Sequence, residues 1–226
     1  MAEVLITLGI IGIVAAMTMP SLIAKYQKNV LKNQFKKAYS EISQAVLLLK
    51  AKEDINIFEY AKTYGSQNAL DKLMTQISGA QVLENSKSFP NFISAFYRPK
   101  MLDKTSNAGQ YCDATNVYRT ANGIFYSFDD APGMSIADPK LCIDINGKSR
   151  PNSYGYDLFV FIFTKEGNVV PFTYEWTNGQ TIKEIEDISV QCSYTSGKPP
   201  VSCSNYAISD TSPLDSTKNY WYDFLK

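Results

Sequence analysis

From Val4 to Ala24 the chain carries only three polar side chains, Thr7, Thr18 and Ser21; from Lys25 to Lys50 apolar residues recur with a helical rhythm among polar and charged ones. At ~1.5 Å per residue the first run covers a hydrocarbon core of ~30 Å, so residues 1–24 are predicted to form a membrane-spanning helix and not a core helix. In the second segment Leu31, Phe35, Ala38, Ile42, Ala45 and Leu49 recur at spacings of four and three, with Lys32, Lys36, Lys37, Ser40 and Glu41 mostly off that line. There is no Gly or Pro in this stretch, and the pattern predicts an amphipathic helix over 25–52 laid on a globular domain. Joined, the two segments predict one helix from about Ala2 to Lys50, ~70 Å long, with a bend where Pro20 removes a backbone donor and crowds the preceding turn.

Beyond the helix the pattern changes twice. Residues 53–80 have helical character broken near Gly65, and Ser88 to Tyr97 suggest a further short turn of helix, so 53–122 is predicted as a variable, helical region. From Gly123 the chain turns to β-branched and aromatic runs bounded by Gly, Pro and Asn: 123–128, 141–145 and 157–163. The segment 168–172 follows Lys165-Glu166-Gly167 and pairs with 157–163 as a hairpin, with Pro171 near its end. The expected product over 123–175 is an antiparallel sheet of about four strands packed on the amphipathic helix, an α+β architecture. Residues 176–226 form a C-terminal region with two of the cysteines. The residues after the long helix, about 175 of them, suffice for one domain, and no repeat or second domain is indicated.

Composition narrows the chemistry. Lys plus Arg total 22 and Asp plus Glu total 22, and no basic patch with interleaved aromatics stands out, so nucleic acid is not an indicated partner. Fifteen Tyr and twelve Phe suit packed sheets and interfaces. The chain has no histidine, which removes Ser-His-Asp and Cys-His catalysis and every His-bearing metal site. Acidic pairs such as Asp129 with Asp130, or Glu184 with Glu186, read as solvated surface; no GxxxxGK[ST] phosphate loop is present, so the chain carries no nucleotide-driven motor of that kind. The chain reads as a non-enzyme that requires no cofactor. Four cysteines, Cys112, Cys142, Cys192 and Cys203, suit disulfides in an exported domain, and the absence of CxxC and His argues against zinc. Three pairings are possible; the preferred one joins Cys192 to Cys203 around Gly197, Pro199 and Pro200, and Cys112 to Cys142.

The opening segment, AEVLITLGIIGIVAAMTMPSLI, resembles the N-terminus of bacterial type IV pilins and type II secretion pseudopilins: a glutamate, an apolar helix, a central Gly and then Pro. Glu3, Gly12 and Pro20 fall on the family's spacing, and the amphipathic continuation matches as well; the motif covers roughly the first fifth of the chain. Family precursors carry a short basic leader ending in Gly, cut by a prepilin peptidase before a Phe that becomes the N-methylated mature residue. Met1 sits two residues inside that expected start, so upstream DNA encoding a basic Gly-Phe stretch in frame is expected. The charges agree: Lys25, Lys28, Lys32, Lys36 and Lys37 follow the span with nothing basic before it, and a basic leader would restore the usual orientation bias.

Glu3 itself has two readings. It can be a terminal residue reaching the headgroups, or a carboxylate drawn into the membrane, which costs roughly 2.5 kcal/mol or more and needs a cation. The resemblance implies that the cation is the N-terminal amine of a neighbouring subunit, so that the pair sets register in a filament. Gly12 with Ala16 makes a small-residue face for close helix contact, and the family implies loosening of the helix from Gly12 to Pro20.

The most distinctive part of the globular region is Asp144-Ile145-Asn146-Gly147, followed by Pro151-Asn152 and Gly155-Tyr156-Asp157. One reading is turn chemistry, since Asn-Gly readily adopts positive φ. The other is a hard-cation site, with Asp144, Asn146, Asn152 and Asp157 offering oxygens as in calcium loops, although the distal glutamate of an EF-hand is not there. Major pseudopilins bind calcium in a loop of the C-terminal domain, without aligning these residues. The stretch DINGKSRPN, followed by GYDLFVF, resembles a pattern that recurs in pilin-like proteins.

Three functions follow as expectations. The first is a filament subunit, pilin or pseudopilin, held in the bacterial inner membrane with its globular domain outside the cytoplasm; its partners are copies of itself, other pilin-like subunits and an inner-membrane assembly platform. The second is a minor or tip subunit that binds surfaces or DNA. The third is a membrane-anchored enzyme or solute-binding protein, indifferent to mutation of Glu3.

Overall fold

The computed structural model describes residues 2–83, 99–109, 116–128, 139–147, 149–177 and 181–226. One helix, α1, runs from Ala2 to Glu53 and is helical through both Gly12 and Pro20. Its two halves have opposite surroundings. Ile6, Leu8, Ile10, Ile11, Ile13, Val14 and Met17 are all exposed, whereas Leu31, Phe35, Ala38, Ile42, Ala45 and Leu49 are buried together with Val46. The stripe of fours and threes is therefore the face that docks.

Two short helices follow, α2 (Ile57–Tyr64) and α3 (Ser66–Met74). Asn56 caps α2 by accepting from Glu59 N at 3.0 Å, and Gly65, at φ +87°, makes the turn between them. Leu70, Leu73 and Met74 then close over the upper end of α1.

The sheet has six antiparallel strands in sequential order: β1 (Gln81–Leu83), β2 (Val117–Arg119), β3 (Phe125–Phe128), β4 (Lys140–Asp144), β5 (Leu158–Phe163) and β6 (Val169–Pro171). This corrects the expected count of about four. The last four strands fall where the aromatic and β-branched runs place them; β1 and β2 lie inside the region read as helical. Their three residues each carry too little alternation to register as strands, and pairing to a neighbouring strand is what makes them so: Val82 opposite Tyr118, and Tyr118 opposite Tyr126. The suggested helical turn at 88–97 lies outside the described residues. A separate hairpin, β7 (Tyr174–Thr177) with β8 (Thr181–Glu184), opens the C-terminal region.

β5 explains why its sequence is apolar without interruption. Phe159, Phe161 and Phe163 enter the core shared with α1, while Leu158, Val160 and Ile162 enter a second core with Tyr154, Phe172 and Val201. A strand buried on both faces has no polar positions to alternate.

The C-terminal region is built from α4 (Ile188–Gln191), α5 (Cys203–Ser209) and a π-type turn at Tyr220–Phe224. Cys192 and Cys203 are joined, with Cα atoms 4.9 Å apart, which is the expected pairing. Cys142 is also disulfide-bonded; Cys112 lies outside the described residues. The terminal turn brings Trp221 against Phe35, with ring centroids 5.4 Å apart, beside Phe159, which lies 4.5 Å from Phe35.

Candidate functional site

Two places combine unusual residues with unusual surroundings: the bare half of α1, and the loop between β4 and β5.

The bare half of α1 is long and apolar enough to cross a membrane. The three polar side chains between Val4 and Ala24 bond within the helix: Thr7 Oγ1 donates to Val4 O at 3.0 Å, Thr18 Oγ1 to Val14 O at 2.9 Å and Ser21 Oγ to Thr18 O at 2.9 Å. Such internal bonds are what lipid demands, since hydrocarbon offers none. Pro20 leaves the carbonyl four residues back, on Ala16, without its helical donor. At Gly9 and Gly12 a Cβ would meet nothing within 4 Å, so packing inside this chain does not require glycine there, although glycine weakens a helix by about 1 kcal/mol relative to alanine. Glu3 lies in the first turn of α1.

Where α1 leaves this segment, the C-terminal turn seizes it. Lys28 Nζ donates to Tyr222 O at 3.3 Å and to Leu225 O, Tyr222 Oη donates to Asn29 Oδ1 at 3.0 Å, and Lys32 pairs with Asp210 at 2.5 Å. In the sequence Lys28 is legible only as a charge following the span and Lys32 as an off-stripe charge; their partners lie nearly two hundred residues away, beyond any local signal.

The β4–β5 loop brings together all four residues read as cation ligands. Asp144, at the end of β4, accepts from Asn146 N at 3.1 Å and Gly147 N at 2.8 Å, both on Oδ1. Gly147 sits at φ +61°, and a Cβ there would stand 2.1 Å from Gly123 O, so the turn admits glycine alone. Asp157 precedes β5 and accepts three donors: Ser153 N at 2.5 Å on Oδ1, and Asn152 N at 3.0 Å and Asn146 Nδ2 at 3.1 Å on Oδ2. Between them Arg150–Pro151 is cis and Asn152 is left-handed at φ +56°. The bonds present are those of a turn: both aspartates accept from main-chain N–H groups of the loop, and the Asn146 carboxamide reaches Asp157.

Electrostatically the pair is strained. Burial, and then the neighbouring charge of Asp157, hold the Asp144 carboxyl well above the usual carboxylate range; burial pushes Asp157 up to about 6 against the opposing effect of its backbone donors. Asn146 Oδ1 is buried with no hydrogen-bond partner. Among the described residues no three His, Cys, Asp or Glu converge, so the donor set at this loop is two carboxylates, two carboxamides and backbone carbonyls. That all-oxygen set fits a hard cation and not zinc. On its open side Asn146, Ser149 and Arg150 border a cleft of about 360 Å³ whose other wall is Tyr26, Val30 and Gln34 of α1.

Of the acidic pairs considered for catalysis, Glu184 and Glu186 are exposed on the surface, and Asp129 and Asp130 lie outside the described residues. Comparison with known proteins gives no match to a protein-family model, to a curated protein or to a solved structure.

Proposed function

We propose that the chain is a structural subunit of a type IV pilus-like or type II secretion filament, a pilin or pseudopilin anchored in the bacterial inner membrane until its N-terminal helix polymerises. The observation that carries this reading is the division of α1. One continuous helix is bare and apolar over its first half and docked in a globular core over its second, so any force on the membrane half passes directly to the domain. An anchor that only tethered could end in a flexible linker; here the core reaches back to Leu31, and Lys28 and Lys32 tie the exit point to the C-terminus.

In this mechanism the bare halves leave lipid to form the apolar centre of a filament. Glu3 takes the N-terminal amine of a neighbour as its cation and so sets register. Gly12 and Ala16 permit close approach, and the segment from Gly12 to Pro20, already short of one backbone donor, loosens as the helices pack. The globular domain lies outside the cytoplasm, where the Cys192–Cys203 disulfide is stable. A separate ATPase and membrane platform drive assembly, and a prepilin peptidase processes any leader.

Photo-crosslinking in the native membrane tests this. With a photoreactive residue in place of Ile10, which is 58% exposed, irradiation of producing cells should yield a ladder of covalent multimers of this chain or adducts with other small anchored subunits. The same residue in place of Leu70, which is fully buried, should yield neither. A monomer band alone at the Ile10 position would overturn the reading.

A further inference from the structure

The cleft between α1 and the β4–β5 loop stands at the level of a membrane surface. Its lowest lining residue, Tyr26, is two residues beyond the apolar run that ends at Ala24, and its α1 wall continues through Val30 to Gln34. At ~1.5 Å per residue an upright helix sets Tyr26 about 3 Å and Val30 about 9 Å above Ala24, and the headgroup layer on each side of a bilayer is about 5–8 Å deep. The lower part of the cleft therefore lies among headgroups. Tyr26 is 68% exposed, as suits an aromatic ring at that level. The chemistry of the cleft is two-sided. Arg150 is exposed and has no ion-pair partner among the described residues, and no carboxylate lines the cleft. The neighbouring cations are already engaged, Lys28 by the carbonyls of Tyr222 and Leu225, and Lys104 by Lys226 O at 2.6 Å. Behind this rim Asn146 Oδ1 and Gln34 Oε1 are buried and accept no hydrogen bond. The orientation of Asn146 is fixed, because its Nδ2 donates to Asp157 Oδ2 at 3.1 Å. A guanidinium without an anion and two carboxamide oxygens without a donor call for one ligand that carries both.

We propose that this cleft binds the headgroup of phosphatidylethanolamine from the leaflet that α1 leaves, with Arg150 on the phosphate and the Asn146 and Gln34 carboxamide oxygens on the ammonium. Gln34 lies on the α1 wall and swings to uncover both oxygens. Because Asn146 Nδ2 donates to a carboxylate, its Oδ1 is a strengthened acceptor. The volume of about 360 Å³ is at the small end of ligand sites, which suits a headgroup whose acyl chains stay in the bilayer. Phosphatidylcholine presents the same phosphate, but its nitrogen carries methyl groups and no donor. Phosphatidylglycerol carries a net negative charge and no ammonium. The inference rests on the membrane-anchored part of the reading above and not on filament assembly.

The test is native mass spectrometry of the full chain released from detergent, with phosphatidylethanolamine, phosphatidylcholine or phosphatidylglycerol of matched acyl chains added singly. A single phosphatidylethanolamine should be retained, about ten-fold more than either comparator. Arg150→Gln should reduce that retention about ten-fold. Gln34→Met keeps the side-chain length but removes the carboxamide, and should lower phosphatidylethanolamine retention toward the phosphatidylcholine level. Lys36→Gln, which removes an exposed cation of α1 outside the cleft, should change nothing. Equal retention of phosphatidylethanolamine and phosphatidylcholine, stronger retention of phosphatidylglycerol, or undiminished retention in Arg150→Gln would overturn the proposal. If Arg150→Gln does not fold, Gln34→Met decides. Anchoring is read separately by carbonate extraction of membranes. A carbonate-resistant parent with no lipid preference would reject this site and leave the anchor standing, whereas release by carbonate would reject both.

Discussion

Replacing Phe35 by Ala should lower stability by about 3–5 kcal/mol, among the largest effects any single truncation in this chain can have. Phe35 is 2% exposed, and its ring touches three others at centroid distances of 4.5 Å to Phe159, 6.1 Å to Phe161 and 5.4 Å to Trp221. Phe35 is on α1 and its partners come from β5 and from the C-terminal turn, so the cavity opens where all three elements meet. Phe159 and Phe161 cannot collapse into it without displacing β5, which is paired on both sides with β4 and β6. Leu47, only twelve residues further along the same helix, is 64% exposed, and Leu47→Ala should change stability by no more than about 0.5 kcal/mol. Thermal or denaturant unfolding of the two variants measures the difference. Equal losses would mean that α1 does not dock by the stripe described.

The second large effect is expected from removing the Cys192–Cys203 bridge. The two residues are 11 apart in sequence and both are 0% exposed. In the chain-entropy view, opening a loop of this size costs roughly 3 kcal/mol. The consequence spreads beyond the loop because Cys203 begins α5, and α5 places the terminal turn: Ala207 O accepts from Trp221 Nε1 at 3.2 Å, and Asp210 Oδ1 from Trp221 N at 3.3 Å. Gly155 also packs against this sulfur, since a Cβ there would stand 2.8 Å from Cys203 Sγ. The double variant Cys192→Ala, Cys203→Ala should therefore melt about 6–12 °C below the parent and show loosened Trp221, read as increased indole solvent exposure in fluorescence. A melting point unchanged within about 2 °C would remove the bridge from the account.

Much of this architecture is readable from local pattern, and what is not has a physical cause. The stripe on α1 is readable because a helix repeats every 3.6 residues and one face must be apolar; every stripe position predicted to be core is buried, and Val46 joins them. β3 to β6 are readable because runs such as LFVFIF can satisfy two apolar faces only as a central strand. β1 and β2 are not, since three residues form a strand only when a neighbour supplies the hydrogen bonds. The β7–β8 hairpin did leave a signal, Asn178-Gly179 in the sequence between its strands, of the kind that favours tight hairpin turns. The docking of Lys28, Lys32 and Trp221 left none, because contacts across the whole chain impose no periodicity. At the β4–β5 loop the residue types Asp144, Asn146, Asn152 and Asp157 are legible as a group, but their convergence depends on β4 and β5 pairing in register, Asp144 opposite Leu158.

The central claim is that α1 is an assembly element and not only an anchor, and Glu3 is where the two differ. The most direct measurement is the fraction of this chain recovered in sheared or sedimented filaments, beside the fraction in membranes, for the parent and for Glu3→Ala. An anchor needs only apolar length, which the substitution leaves intact, so membrane content should be unchanged. A register element needs the carboxylate, so the filament fraction should fall at least ten-fold. Normal incorporation of Glu3→Ala into filaments would contradict the account.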